Sequence, residues 1–360
     1  MCNGDWMSIG TETYRQILAR RAREMLHRKA LKRKRKNWHP RPARPLKECV
    51  RLPGSLETYS DVKLSQALTA FNQILENPKK ILDFRSVGQI SIPAGLILKG
   101  FFDEYEMIYH CKPLIIRPQD EKIRAVLKYL QLASCDVNCE QGPDIVCWNL
   151  FEWDQQQPSS AEEDIPILLV NDSIPDCLRD VTSRHLDQTQ VASAVAEAFF
   201  NCREHAYQGP KANVRFQKWY LGFGTFPHTS HETVTFCIYD KGQGFRSSLQ
   251  SKQRKIDTLI DAFSTDAALL EFAAKGLTGV REGGEKGRGK GLRTTADRVS
   301  QANGYFLILS DKGLYVESSS EGNPVGTKES RIANLQGSLI VFSFPVSYSN
   351  TGMSNDRKRE

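Results

Sequence analysis

Three short stretches in the second half of the chain hold side chains whose types and spacing could do chemistry, and they occur in a fixed order. They are VASAVAEAFFNCREHAY (191–207), TFCIYDKGQGF (235–245) and EKGRGKGL (285–292). In the first, Glu197, Asn201 and His205 fall four apart. They form a stripe roughly 100° from an apolar one made by Val191, Val195, Ala198, Phe199, Cys202 and Ala206. The spacing predicts a helix that lays polar groups along the edge of a pocket, although an ordinary amphipathic helix with solvated polar residues has the same pattern. In the second stretch, Val234, Phe236 and Ile238 alternate, which predicts a strand with Asp240 at its end. A carboxylate there is a hydrogen-bond acceptor suited to an amino group. Gly242 and Gly244 after it let a ligand approach the backbone, though Asp-x-Gly is also common turn chemistry. In the third, Gly287, Gly289 and Gly291 precede a helical run through Ser300, and glycines before a helix start expose N–H groups that favour phosphate. The run lacks the GK[ST] ending of a Walker loop and the preceding strand of a dinucleotide fold.

Together the three resemble the asparagine box, the DxGxG box and the GxGxGL box of the GHKL superfamily, whose Bergerat fold binds ATP. The carrying residues are Glu197 and Asn201, then Asp240, Gly242 and Gly244, then Gly287 to Leu292, over roughly residues 165–346. The resemblance implies ATP and Mg²⁺ as ligands. Asn201 would carry the metal, a neutral oxygen ligand suited to an ion that keeps most of its waters. Glu197, one helical turn earlier at about 6 Å, would orient or deprotonate water as the catalytic group. Asp240 would take the adenine amine. Residues 245–286 would form a lid with helices around Ile256–Phe263 and Ala267–Lys275. His205 stands where relatives often carry Lys or His, and a packing role fits it equally well. A late strand, Ser338–Phe344, follows Gly337 where the family has Gly-Thr, which adds Ser338 to the nucleotide contacts.

The chain has 360 residues and a net charge of +7, unevenly placed. Between Arg15 and Lys47 there are about 14 Lys and Arg against one acid, Glu24, so the remainder is mildly acidic. Such an arm can contact nucleic-acid phosphates, or serve as a solvated extension or a dock for an acidic protein. No run approaches ~18 apolar residues, so no membrane span is expected. Nine scattered cysteines fit a reducing cytoplasm. Cys135, Cys139 and Cys147 are read as thiols rather than metal ligands.

The middle of the chain alternates helix and strand: a helix through Leu64–Leu75, a strand at Lys80–Phe84, a long buried helix at 92–110, a strand at Pro113–Arg117 and a helix from Asp120. This implies an α/β layer with parallel pairing. ILDFRSVGQISIPAGLILKGFF and PLIIRP resemble the STAS domain of anti-sigma-factor antagonists. Ile92–Gly95 stand where regulated members carry the phosphoacceptor hydroxyl, so a docking or regulatory module is implied.

The expected fold class is α/β: a basic arm (1–57), a STAS-like layer (58–134), a linker (135–163) with a strand-like run at Val146–Trp153, a Bergerat-fold α/β sandwich (164–346) opened by a strand at Ile165–Val170, and a disordered tail (347–360). A histidine-kinase dimerisation helix and a transducer domain are not expected. Three functions remain open: a regulatory or effector ATPase acting on an unidentified protein or nucleic acid, an anti-sigma-type serine kinase, and a non-catalytic ATP-binding module. A homodimer stays open as well.

Overall fold

The chain divides at Lys47 into residues 1–47 and residues 48–360. The computed structural model describes residues 48–130, 132, 149–154, 188–207, 216–227, 232–250, 263–275, 291–320 and 323–346, all in the second unit. The expected arm core, Cys135–Cys147, the strand at 165–170, Gly287 and Gly289, the lid helix at 256–263 and the tail lie outside the described residues.

Cys49–Arg51 (β1) pairs in parallel with Ile81–Asp83 (β3), and β3 in parallel with Ile115–Ile116 (β5). Ser55–Leu56 (β2) pairs in parallel with Gln89–Ile90 (β4). Strand pairing therefore begins inside the stretch that the sequence assigns to the arm. A three-residue strand is too short for an alternating pattern to announce it. Asp61–Glu76 (α1) starts where the Ser60 hydroxyl accepts from the Lys63 N–H at 3.4 Å, and stops before Pro78, which cannot continue a helix. Ile92–Tyr109 (α2) is capped the same way by Ser91, and Glu121–Tyr129 (α3) by Asp120.

Among the described residues the second sheet has five strands in the order β6-β7-β8-β10-β9, all antiparallel. They are Asn149–Asp154 (β6), Lys218–Pro227 (β7), Glu232–Asp240 (β8), Tyr305–Ser320 (β9) and Asn323–Val346 (β10). The run that the sequence places in a linker is thus the strand at one end of this order. The helices that accompany the sheet are Gln188–His205 (α4), Phe245–Gln250 (α5), Asp266–Ala274 (α6) and Gly291–Gln301 (α7).

Both faces of the sheet are buried, and the period-2 alternation of each strand sorts its side chains between two cores. Leu221 and Phe223, Val234, Phe236 and Ile238, Phe306 and Ile308, and Phe342 pack with α4, α6 and α7. Tyr220, Cys237, Tyr239, Leu307, Leu309, Leu339 and Val341 face the other way and share a core with α1 and α2. Every residue of α2 from Ile92 to Phe102 is buried, as an all-round apolar helix requires. The approach is close: a Cβ on Gly100 would meet the Tyr239 ring at 2.8 Å, and one on Gly222 would meet Leu96 at 2.9 Å. Each large apolar side chain buried in this seam contributes about 1.5–3 kcal/mol relative to exposure. Polar ties reinforce the seam. Arg331 donates to the Thr58 and Tyr59 carbonyls at 2.8 and 3.0 Å, and Asp61 accepts from the Ile332 and Ala333 N–H groups at 2.9 and 3.1 Å. Among the described residues no helix is long and apolar enough to cross a membrane.

Candidate functional site

α4 carries the first predicted stripe. Ala194, Val195, Ala198, Phe199 and Cys202 are buried against the sheet, while Glu197 and Asn201 are half-buried at the edge of that face. The helical spacing delivers what it predicts. Asn201 Nδ2 is buried and has no hydrogen-bond partner. A buried amide end without a partner costs about 1–3 kcal/mol, so it is a place for a ligand. Nitrogen and oxygen of an amide are told apart only by their hydrogen bonds, so the oxygen can occupy that position equally well.

β8 delivers Asp240, which is 4% exposed. One carboxylate oxygen accepts from the Gly242 N–H at 2.9 Å. The Ser338 N–H also donates to this carboxylate, and the Cys202 thiol lies 3.8 Å from Oδ2. Burial raises its pKa to about 7, against the lowering effect of these donors. The loop after Asp240 is fixed on three sides. A Cβ at Gly242 would lie 2.2 Å from the Ala206 carbonyl oxygen, which accepts from the Gln243 N–H at 2.9 Å. Gly244 has φ +78°, and a Cβ there would meet the Asp311 carboxylate at 2.7 Å. The Phe245 N–H donates to Ser310 Oγ at 2.8 Å, which opens α5.

Asn201, Asp240, Gly244 and Ser338 line one cavity, with Cys202 and Leu292 among its apolar walls. Gly242 lies on the opposite side of the loop and lines a different cavity, of about 460 Å³. Gly291 opens α7, as the third stretch predicts, and places Leu292 in the wall. Glu197 stands one turn before Asn201 and is not a wall of this cavity. His205 ends α4, and its side chain is outside the described residues, as are Gly287 and Gly289. The sequence reading missed Cys202 as a wall of the cavity and Ser310 as a support of the loop. Cys202 lies beside Asn201, but its contact with Asp240 is 38 residues away, and Ser310 is 65 residues from Phe245, which no local pattern encodes.

A buried carboxylate on an apolar wall, beside an amide with an unused end, presents an acceptor to an amino group; the cavity holds about 40 Å³, so its walls must part to admit a flat base. Residues 169–301 match the family model of the histidine kinase-like ATPase domain. The segment is similar to that ATPase domain. The match spans α4, β7, β8 and α5 to α7, and therefore Asn201, Asp240 and the start of α7. It supports a GHKL-type ATP-binding domain. β9 and β10, which complete the sheet and supply Ser338, lie beyond it. No curated protein matches the chain.

Proposed function

We propose that the chain is an ATP-binding and ATP-hydrolysing regulatory protein of GHKL type. The observation that carries this reading is the cavity where Asn201 and Asp240 meet, one with an unpartnered buried amide end and the other a buried carboxylate. Asp240 accepts from the adenine amine. The Gly242 and Ser338 N–H groups keep its carboxylate aimed, and Cys202 and Leu292 exclude water around the base. Asn201 fits a divalent ion as a neutral oxygen ligand. Among the described residues no group of three His, Cys, Asp or Glu side chains is arranged for a metal, so phosphate oxygens and water would fill its other positions. Bound Mg²⁺ supplies neutralisation of phosphate charge. Glu197 orients and deprotonates the attacking water from one turn away. His205, Gly287, Gly289 and Gly291 would serve the phosphates.

The organisation proposed with this is an ATPase-like domain over 164–346, joined by β6, and a STAS-like α/β layer upstream that docks or regulates. Its cover over one face of the ATPase-like sheet supports the regulatory part. The basic run between Arg15 and Lys47 is proposed to reach nucleic-acid phosphates.

Calorimetric titration with Mg–ATP, followed by a phosphate-release assay, tests the function. Binding with release of phosphate supports the ATPase. Binding with labelled phosphate appearing on another protein would move the reading to a kinase, and binding without turnover to a non-catalytic module. No binding overturns it.

A further inference from the structure

Lys241 stands between Asp240 and Gly242, yet its side chain turns away from the base cavity and runs into the seam with the upstream layer. There its Nζ forms a buried ion pair with Glu104 of α2, 137 residues earlier. Both side chains are about nine-tenths buried, at 8% and 10% exposure. The Phe216 ring lies 5.9 Å from the ammonium. Contacts close into a ring around this pair. The Lys241 N–H donates to the Tyr207 hydroxyl at 3.3 Å, and that hydroxyl donates to the Lys218 carbonyl. Lys218 Nζ lies 3.6 Å from Asp103, the neighbour of Glu104 on α2. Tyr207 lies two residues after the helix that carries Glu197 and Asn201.

A buried ion pair is a poor way to hold two layers together, because desolvating both charges offsets most of their attraction, and apolar residues of similar volume do as well or better. Burial accordingly pulls the Lys241 ammonium below its usual range, while Glu104 opposes that. The seam already has its attachment. Asp103 accepts from the Tyr220 hydroxyl at 2.9 Å and pairs with Lys99 at 2.7 Å, and Gly100 and Gly222 let apolar side chains interlock. What the Glu104–Lys241 pair adds is direction. It anchors the one residue that joins the adenine carboxylate to the first glycine.

We propose that Glu104 is a positioning residue for the nucleotide loop: through Lys241 it fixes the backbone from Asp240 to Gly242 and so sets affinity for the adenine base. The upstream layer thereby reaches the site without touching the ligand. The proposal rests on the ATP reading above. Wild type, Glu104→Gln, Lys241→Gln, the double variant and Tyr109→Phe, each as the full chain, are titrated with Mg–ATP and melted without nucleotide. Either single change should lower affinity on the order of tenfold, and the double variant should lower it no further than a single one. Tyr109→Phe, which removes a hydroxyl that donates to the Leu75 carbonyl at the far end of the same helix, should change affinity less than about twofold while lowering the melting temperature. Wild-type affinity in both single variants, or an equal loss in Tyr109→Phe, overturns the proposal and leaves the ATP reading standing. Absence of ATP binding by wild type overturns both. Should the single variants fail to fold, Glu104→Asp keeps the charge on a shorter arm. Faster amide exchange over 241–245 in that variant supports the proposal, and unchanged exchange there overturns it.

Discussion

α2 and α4 lie on opposite faces of one sheet and treat their polar side chains in opposite ways. On α2 every buried charge has a partner: Lys99 with Asp103, Asp103 with Tyr220 and Lys218, and Glu104 with Lys241. On α4 the buried end of Asn201 has none. Both helices sit under the same desolvation cost. A satisfied buried network specifies a unique arrangement. An unpartnered buried group is open to a ligand where it lines a cavity, as Asn201 does, whereas Thr58 Oγ1 and Arg331 Nε are unpartnered within the seam.

The largest expected effect is on the ligand side. Glu197→Ala should keep Mg–ATP binding but lose turnover by about 10²–10⁴-fold, since a general base is gone. Single-turnover kinetics beside calorimetry measures this, and wild-type turnover would remove Glu197 from the mechanism. On the architectural side, Glu104→Ala leaves a buried ammonium without its carboxylate and should cost about 3–5 kcal/mol of stability in urea unfolding. A loss below about 1 kcal/mol would mean that the seam accommodates an unpaired Lys241.

A third test falls where the two sides meet. Asp240→Asn should weaken ATP binding about tenfold by removing a charge-assisted hydrogen bond. It should also raise the stability of the nucleotide-free chain at pH 8, on the order of 1–2 kcal/mol, by removing a buried charge. The sign follows from linkage. The native pKa is raised from 3.8 to about 7, so between those values the unfolded chain has released a proton that the native chain keeps. The stability contributed by Asp240 is therefore fully present below pH 3.8 and declines as pH rises to about 7. The melting-temperature gap between variant and wild type should widen from pH 5 to pH 8. A constant gap would show that Asp240 titrates normally.

The smallest effect expected on these helices comes from deleting residues 1–47. ATP affinity and melting temperature should stay put, while nucleic-acid binding should vanish. In the full chain that binding should fall steeply with salt, because each neutralised phosphate releases about one counterion. Filter binding at increasing salt decides it, and equal binding by both chains would return the arm to a solubility or protein-docking role.

What was legible in the sequence was what local pattern encodes. Helical periodicity found α1, α2, α3 and α4 within a few residues of their ends, and alternation found β8 with Asp240 at its tip. β7 escaped because Gly222 and Gly224 interrupt its alternation, and glycine in a strand signals close approach rather than pairing. The outer part of β10 escaped because residues 325–330 are all exposed, with no buried face to impose a pattern, and β9 escaped because Phe306 to Leu309 are buried on both faces, which leaves a continuous apolar run without a period. The second layer of meaning, that Lys241 belongs to α2 as much as to the glycine loop, depends on residues 137 apart and had no local trace.

The doubly covered sheet also sets an order of events at the ribosome. α2 is finished at Tyr109, but β7 and β8, the strands that close over its outer face, are not complete until Asp240. At about 5–20 residues per second, translation leaves that helix waiting for roughly 7–26 s. During that interval Ile92 and Leu96 have no sheet to close over them, so nascent chains of this protein should be clients of a holding chaperone until β8 emerges.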